Sequence, residues 1–197
     1  MPRQEPRFAA PGLAPALQLA LELHAGQVRK GTDTPYLAHL LETAALVAEY
    51  GGTLEEVQAA LLHDALEDGQ PRQALRARLD ALSPRVGQIV AGCTDTEEER
   101  KPPWRARKEA YLAHLRAADA STRLVAAADK LANATAVLRD LHRRGPALWG
   151  RFRTGRGDQL WYYRACLAAL AEGATSPGLA ELTAELRRRV DEIERFG

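Results

Sequence analysis

Apolar residues recur along this chain at intervals of three and four, the spacing that gathers them on one face of an α-helix. Leu13, Leu17, Ala20, Leu21 and His24 form a first such stripe, with Pro15 admissible in its first turn. A second runs through Leu37, Leu40, Leu41, Ala44, Val47 and Ala48, and Gly51-Gly52 ends it. Thr53 followed by Glu56 has the spacing of a capping box and opens a third helix carrying Val57, Ala60 and Leu61. Pro71 and Pro84 each read as a first helical residue. Residues 94–103 are acidic, then basic, then doubly prolyl, and predict a loop. Beyond it the pattern predicts helices over 104–118, 121–143, 158–172 and 178–195. No window alternates with period two over a useful length, so an all-α, single-domain helical bundle is expected.

Composition narrows the picture. At 197 residues the chain suits one domain, 1–197, and is long enough to bury a core without disulfides or structural metal. With 46% hydrophobic and 27% charged residues it reads as an ordinary globular protein. A net charge of +1 offers no overall field for nucleic acid or a membrane surface. The apolar stretch from Phe8 to Leu23 is broken by Pro11, Pro15, Gln18 and Glu22, and lacks the length of a bilayer span or a signal-peptide core. Cys93 and Cys166 stand far apart in no metal-like spacing, and read as reduced thiols of a cytoplasmic protein. None of this sets an oligomeric state.

The chemistry concentrates in Leu61-Leu62-His63-Asp64-Ala65-Leu66-Glu67-Asp68-Gly69. On a continuous helix His63 would stack with Glu67, and Asp64 with Asp68, because residues four apart share a face. The plain reading is the hydrated end of an amphipathic helix. Acids there oppose the helix dipole, at a cost of a few tenths of a kcal/mol, unless a cation compensates. His39 precedes the pair by one helix. Asp129 lies in Ala126-Ala127-Ala128-Asp129-Lys130-Leu131, where adjacent helical residues diverge, so Lys130 is expected to point away from it. Two imidazoles and two carboxylates form a mixed N/O set suited to Mn, Fe, Co or Zn, with coordination positions left for water.

The adjacent His63-Asp64 pair and its surroundings resemble the HD superfamily of metal-dependent phosphohydrolases, and within it the hydrolase domain of RelA/SpoT-type proteins and the small stand-alone alarmone hydrolases. The resemblance rests on Ala20 to Gly31, which includes His24, Gln27, Arg29 and Lys30, and on Thr34-Pro35-Tyr36-Leu37-Ala38-His39. It extends through Ala59 to Asp68, Thr94-Asp95, and Ala128-Asp129-Lys130-Leu131-Ala132-Asn133. These segments keep the family's order and approximate spacing over about 14–170, leaving a C-terminal helix at about 178–195.

That resemblance implies an all-α HD-type fold and one divalent metal, usually Mn²⁺, held by His39, His63, Asp64 and Asp129. It implies that Glu67 and Asp68 position and deprotonate the attacking water. Arg29 and Lys30 would meet phosphate, and Tyr36 and Asn133 would line the nucleoside. The implied reaction is release of pyrophosphate from the 3′-diphosphate of (p)ppGpp, a small nucleotide substrate. Alternatives are an HD phosphohydrolase acting on nucleoside monophosphates, deoxynucleotides or NADPH, or a catalytically idle nucleotide sensor. The length leaves no room for a synthetase domain.

Some positions depart from the family pattern. Gly69 stands where a Thr often follows the acidic pair, and Ala132 where a Tyr or His precedes the Asn. The 94–103 loop, followed by Trp104, is unusually acidic. His24 is expected as a packed or supporting histidine, and His114 and His142 carry no assigned chemistry. Trp104, Trp149, Trp161, Tyr162 and Tyr163 read as core, with Trp161 the ring to examine for contact with a base. The helix bearing Arg187, Arg188 and Arg189 is expected to be solvated or partner-facing.

Overall fold

The computed structural model describes residues 7–68, 71–96, 101–172 and 176–196, and every element of two or more turns among them is helical. A 3₁₀ turn (Ala10–Leu13) leads into α1 (Ala14–Leu23), and a hairpin-like loop joins it to α2 (Leu37–Glu49). Thr53 and Glu56 make both halves of the capping box at the start of α3 (Leu54–Leu62). Every residue of α3 from Val57 onward is buried, so it runs through the interior.

The helix does not continue through the chemical cluster. His63 and Asp64 form a turn, and a four-residue α4 (Ala65–Asp68) follows. The cause is local: His63 Nδ1 donates at 2.8 Å to the carbonyl of Ala60, so the side chain competes for an acceptor of the helical ladder. The continuous helix on which His63 was expected to stack with Glu67 is therefore interrupted, and the expected pairing of Asp64 with Asp68 falls on a side chain outside the described residues.

Next come α5 (Arg72–Leu82), α6 (Pro84–Cys93) and α7 (Trp104–Ala117). Pro84 is the first residue of α6 as expected, whereas Pro71 is the extended residue that caps α5 from outside. The long α8 (Ala120–Arg144) is the hub, packing against α2, α3, α6, the 3₁₀ turn Gly145–Arg151, α9 (Gly155–Ala171) and α10 (Pro177–Arg195). That 3₁₀ turn was not legible beforehand.

Two tertiary devices lock the C-terminal helices. Arg123, 1% exposed on α8, donates to the carbonyls of Ala169, Leu170 and Glu172, satisfying acceptors that the end of α9 leaves free. Gly178 at the start of α10 lies where a Cβ would come within 1.7 Å of the Tyr50 carbonyl oxygen, so only glycine permits that approach. α10 buries Leu179, Leu182, Leu186, Val190 and Ile193. It is thus part of the core, and only its opposite face is solvated, with Arg188 and Arg189 paired to Glu185.

Candidate metal centre and active-site cleft

His39 is carried by the first turn of α2, His63 follows the end of α3, and Asp129 sits at the middle of α8. The crossing of these three helices brings one ligand atom from each residue within 4.8 Å of the others. His39 Nε2 lies 3.2 Å from Asp129 Oδ1, and His63 Nε2 lies 3.6 Å from the same oxygen. Asp64 stands at the edge of this trio, with Oδ2 3.2 Å from His63 Nε2 and accepting a hydrogen bond from the Tyr36 hydroxyl. The rings of Tyr36, His39 and His63 succeed one another at centroid distances of 5.6 and 5.2 Å.

The donor set fits a divalent cation. A carbonyl can only accept, so the His63–Ala60 contact places a proton on Nδ1 and leaves Nε2 as the ligand nitrogen. That Nε2 is buried and has no well-formed hydrogen bond, a cost that a metal would remove. The surrounding electrostatics point the same way. Burial disfavours an imidazolium at His63, yet Asp64 and Asp129 hold its pKa well above the usual range. Burial likewise works against the Asp129 carboxylate, but Lys130 and the two imidazoles keep it strongly acidic. A cation would take the place of the proton shared among these groups.

The supports of Asp129 were only partly foreseen. Lys130 reaches its carboxylate and donates to Oδ2, contrary to the expectation that neighbouring helical side chains diverge; the flexible four-carbon stem folds back. Asn133, one turn on, donates to Oδ1 at 2.5 Å and accepts from Arg29 Nη2 at 2.8 Å. Arg29, Asn133 and Asp129 thus form a continuous relay. Asn133 faces the cleft as expected, but its amide is committed at both ends.

Glu67 lies beyond Asp64 and is half-buried, its Oε1 accepting at 3.2 Å from the backbone N–H of Asp95. Burial, then the charges of Asp64 and Asp95, push its pKa up to about 7. Asp95 is a residue whose role the sequence did not define. Its side chain, 3% exposed, is clamped by Arg107 at 2.5 Å and Lys108 at 2.6 Å. The Asp68 side chain lies outside the described residues.

Arg29, Lys30, Tyr36, His39 and Asn133 all line one cleft of about 870 Å³. Eleven Lys and Arg residues line it against three Asp and Glu, so a chain of near-zero net charge concentrates positive potential there. Trp104, Tyr162 and Tyr163 also line this cleft, but Trp161 does not. Instead the Arg105 guanidinium lies 3.3 Å over the Trp161 ring. Tyr162 and Tyr163 are buried as expected, whereas Trp104, Trp149 and Trp161 are half-buried. His24 is buried beside the site, its Nδ1 2.6 Å from Gln27 Oε1 and its ring 5.2 Å from Tyr36. No helix among the described residues is long and apolar enough to cross a membrane.

This architecture matches known proteins. The guanosine-3′,5′-bis(diphosphate) 3′-pyrophosphohydrolase MESH1 of Danio rerio is 33% identical over 145 residues, covering 72% of this chain and 75% of that protein. A Vibrio cholerae protein of the same activity name is 34% identical over 113 residues, 57% of this chain but only 15% of the longer relative. Among solved structures, lmo0812 from Listeria monocytogenes superposes with a TM-score of 0.70 at 28% identity, covering 80% of this chain and 99% of that one. A metazoan ortholog of SpoT gives the same TM-score of 0.70 at 24% identity, covering 95% and 96%, a likeness of fold. The HD domain family profile matches residues 16–157, a span that holds His39, the His63-Asp64 turn, Asp129 and the α8 wall of the cleft, and on that match the chain belongs to the HD domain family.

Proposed function

We propose that this protein is a metal-dependent phosphohydrolase that removes pyrophosphate from the 3′-diphosphate of guanosine 3′,5′-bis(diphosphate) nucleotides. The observation that carries the reading is the placement of His39, His63 and Asp129 beside a cleft whose walls are overwhelmingly cationic. A phosphate-rich substrate entering that cleft meets Arg29 and Lys30 on the loop that leads directly to His39. The relatives named for this reaction support the choice of nucleotide.

His39, His63 and Asp129, joined by Asp64, would hold one divalent cation; two imidazoles and two carboxylates suit Mn, Fe, Co or Zn, and the family resemblance favours Mn²⁺ among them. Such an ion polarises water and screens a phosphoryl oxygen. The chain's own residues then divide the remaining work. Tyr36 and Lys130 hold the two carboxylates in place through Asp64 Oδ2 and Asp129 Oδ2. Arg29 supplies a fork for phosphate oxygens and Lys30 a mobile charge, which orients the diphosphate toward the metal end of the cleft. Glu67 accepts the proton of the attacking water, and its raised pKa makes it a competent base near neutrality. The new bond forms between water oxygen and a diphosphate phosphorus as the ester link opens, releasing pyrophosphate and a 3′-hydroxyl nucleotide. Asp68 shares the water-positioning role on the strength of the family resemblance. Buried free thiols at Cys93 and Cys166 suit a cytoplasmic location.

The test is to incubate the manganese-loaded protein with ppGpp, GTP, dGMP and NADPH and to separate the products. Pyrophosphate from ppGpp at the highest efficiency, weakened in Arg29→Ala, is the expected result. Turnover of dGMP or NADPH with ppGpp untouched would leave the hydrolase standing and remove the alarmone assignment.

A further inference from the structure

Asp95 holds a position that stability does not explain. It follows Thr94, the residue that caps the C-terminal end of α6, where a carboxylate opposes the helix dipole. Burial of its side chain also disfavours the charge, yet Lys108 and Arg107 outweigh that burial and hold the carboxyl below its usual range. Apolar groups packed in place of a buried ion pair are often as stabilising, so the pair is weak evidence of a role in folding. Here the cluster is also incompletely satisfied, because Asp95 Oδ1 and Arg107 Nε are buried without hydrogen-bond partners.

What the cluster does hold in place is a backbone amide. Arg107 Nη1 and Lys108 Nζ reach the same oxygen, Asp95 Oδ2, at 2.5 and 2.6 Å. Both cations belong to the first half of α7, which is seated on α9. Trp104 lies against Trp161 and Tyr162 at centroid distances of 6.0 and 5.9 Å, and the Lys108 ammonium stands 4.8 Å over the Tyr162 ring. Asp95 is thus tied by its side chain to an anchored helix, while its N–H donates at 3.2 Å to Glu67 Oε1. That is the one hydrogen bond of the Glu67 side chain among the described residues. Glu67 rides on α4, a single turn, and a glutamate left unheld keeps most of its rotamer freedom. Arg107 and Lys108 line the cleft as well, but their charge is directed at Asp95.

We propose that Asp95 is the positioning residue of Glu67, and that Arg107 and Lys108 serve the reaction through Asp95 rather than by binding phosphate. The contacts run from α7 to the Asp95 carboxylate and from the Asp95 amide to Glu67 Oε1. They leave Glu67 Oε2 as the oxygen that takes the proton of the attacking water. This deepens the proposed function and rests on its assignment of Glu67 as the base. A base works only within hydrogen-bond reach of the proton, and a misplacement of about 1 Å can cost about a hundredfold in rate.

The experiment has two arms. In the metal-free protein, amide hydrogen exchange followed by NMR is expected to show the Asp95 N–H protected, with exchange about tenfold faster in Lys108→Met and in Glu67→Ala. In the full-length manganese-loaded protein, kcat and KM for ppGpp are measured for Asp95→Asn, Glu67→Gln and the double variant. Asp95→Asn is expected to lower kcat about 10–100-fold, with KM within about twofold of wild type and manganese content unchanged. In the Glu67→Gln background the same substitution is expected to cost less than about threefold, because groups that act as a unit are not additive. Equal losses in the two backgrounds would overturn the positioning role. So would a raised KM with kcat kept, in Asp95→Asn or Lys108→Met, which returns the cations to phosphate binding. Melting followed by circular dichroism checks the fold of the nearly isosteric Asp95→Asn, and Lys108→Met repeats the kinetic test from a different helix. Because exchange is read without metal or substrate, faster exchange with no cleavage of ppGpp refutes the proposed reaction and leaves the contact intact. Cleavage of ppGpp with exchange unchanged in both variants does the reverse.

Discussion

Lys130 turns back along its own helix to donate a hydrogen bond to the carboxylate of the residue before it, Asp129. The contact fixes Oδ2, so that Oδ1 is the oxygen facing His39 and His63. It also sets a buried positive charge beside a buried negative one, and burial, which opposes the ammonium, is outweighed by Asp129 in holding the Lys130 pKa well above its usual value. Removing the ammonium leaves a carboxylate both less oriented and less compensated. Lys130→Met is expected to weaken manganese binding about 10–100-fold, as losses of groups that orient a ligand do. Equilibrium metal titration checks this, and unchanged affinity in a folded variant would count against the role.

The ligand assignment itself predicts that His63→Ala and Asp129→Ala are purified without metal. Elemental analysis after removal of free ions is the measurement. Full occupancy in both variants would leave the proposed centre without a basis.

Glu67→Gln separates catalysis from metal retention. The amide keeps the shape and loses the ability to take a proton, so turnover is expected to fall about 10²–10⁴-fold with metal content unchanged. A base acts in its deprotonated form, so the wild-type rate rises with pH through the Glu67 pKa. That pKa is about 7 without metal, and a bound cation moves it lower. The pH–rate profile should therefore show an acidic limb at or below about 7 that is absent from the residual activity of the variant. Stability responds with the opposite sense. Because the folded pKa, about 7, lies above the ordinary 4.5, the protonated group favours the fold fully below pH 4.5, and this contribution is lost as pH rises through 7. Metal-free Glu67→Gln should show less loss of melting temperature over that window than the metal-free wild type.

Arg123→Met tests the lock between α8 and the end of α9. The substitution keeps much of the volume but leaves the carbonyls of Ala169, Leu170 and Glu172 without their shared donor. A loss of about 2–4 kcal/mol is expected, the cost of stranding buried acceptors. Urea denaturation monitored by far-UV circular dichroism measures it; a change below about 0.5 kcal/mol would show that the contacts are replaced by solvent.

Much of this molecule was legible in one dimension because its signals are local. The 3.6-residue period placed α7, α8, α9 and α10 within a few residues of their bounds, since burying one face requires that spacing whatever the partner. The capping box at Thr53 and the Pro84 start of α6 were readable for the same reason, each being a contact within one turn. The candidate metal trio was recognisable by residue type and motif. Its convergence was implied by the family resemblance alone and by no local pattern, because the 4.8 Å grouping of His39, His63 and Asp129 depends on how α2, α3 and α8 cross.

What tertiary structure alone decided are the relations between segments distant in sequence, where no periodicity operates. The break at His63-Asp64 depends on a side chain taking a backbone acceptor, and no propensity scale carries that competition. Lys130 reaches Asp129 because buried opposite charges outweigh the divergence of neighbouring helical positions, and Asn133 is spent on a relay that needs Arg29 from 104 residues away. The charge of the cleft is the clearest case. A net charge of +1 conceals it, because the compensating acids lie elsewhere on the surface and only folding sorts the two signs apart. Composition adds charges without regard to place, whereas an electrostatic potential depends on the distances between them.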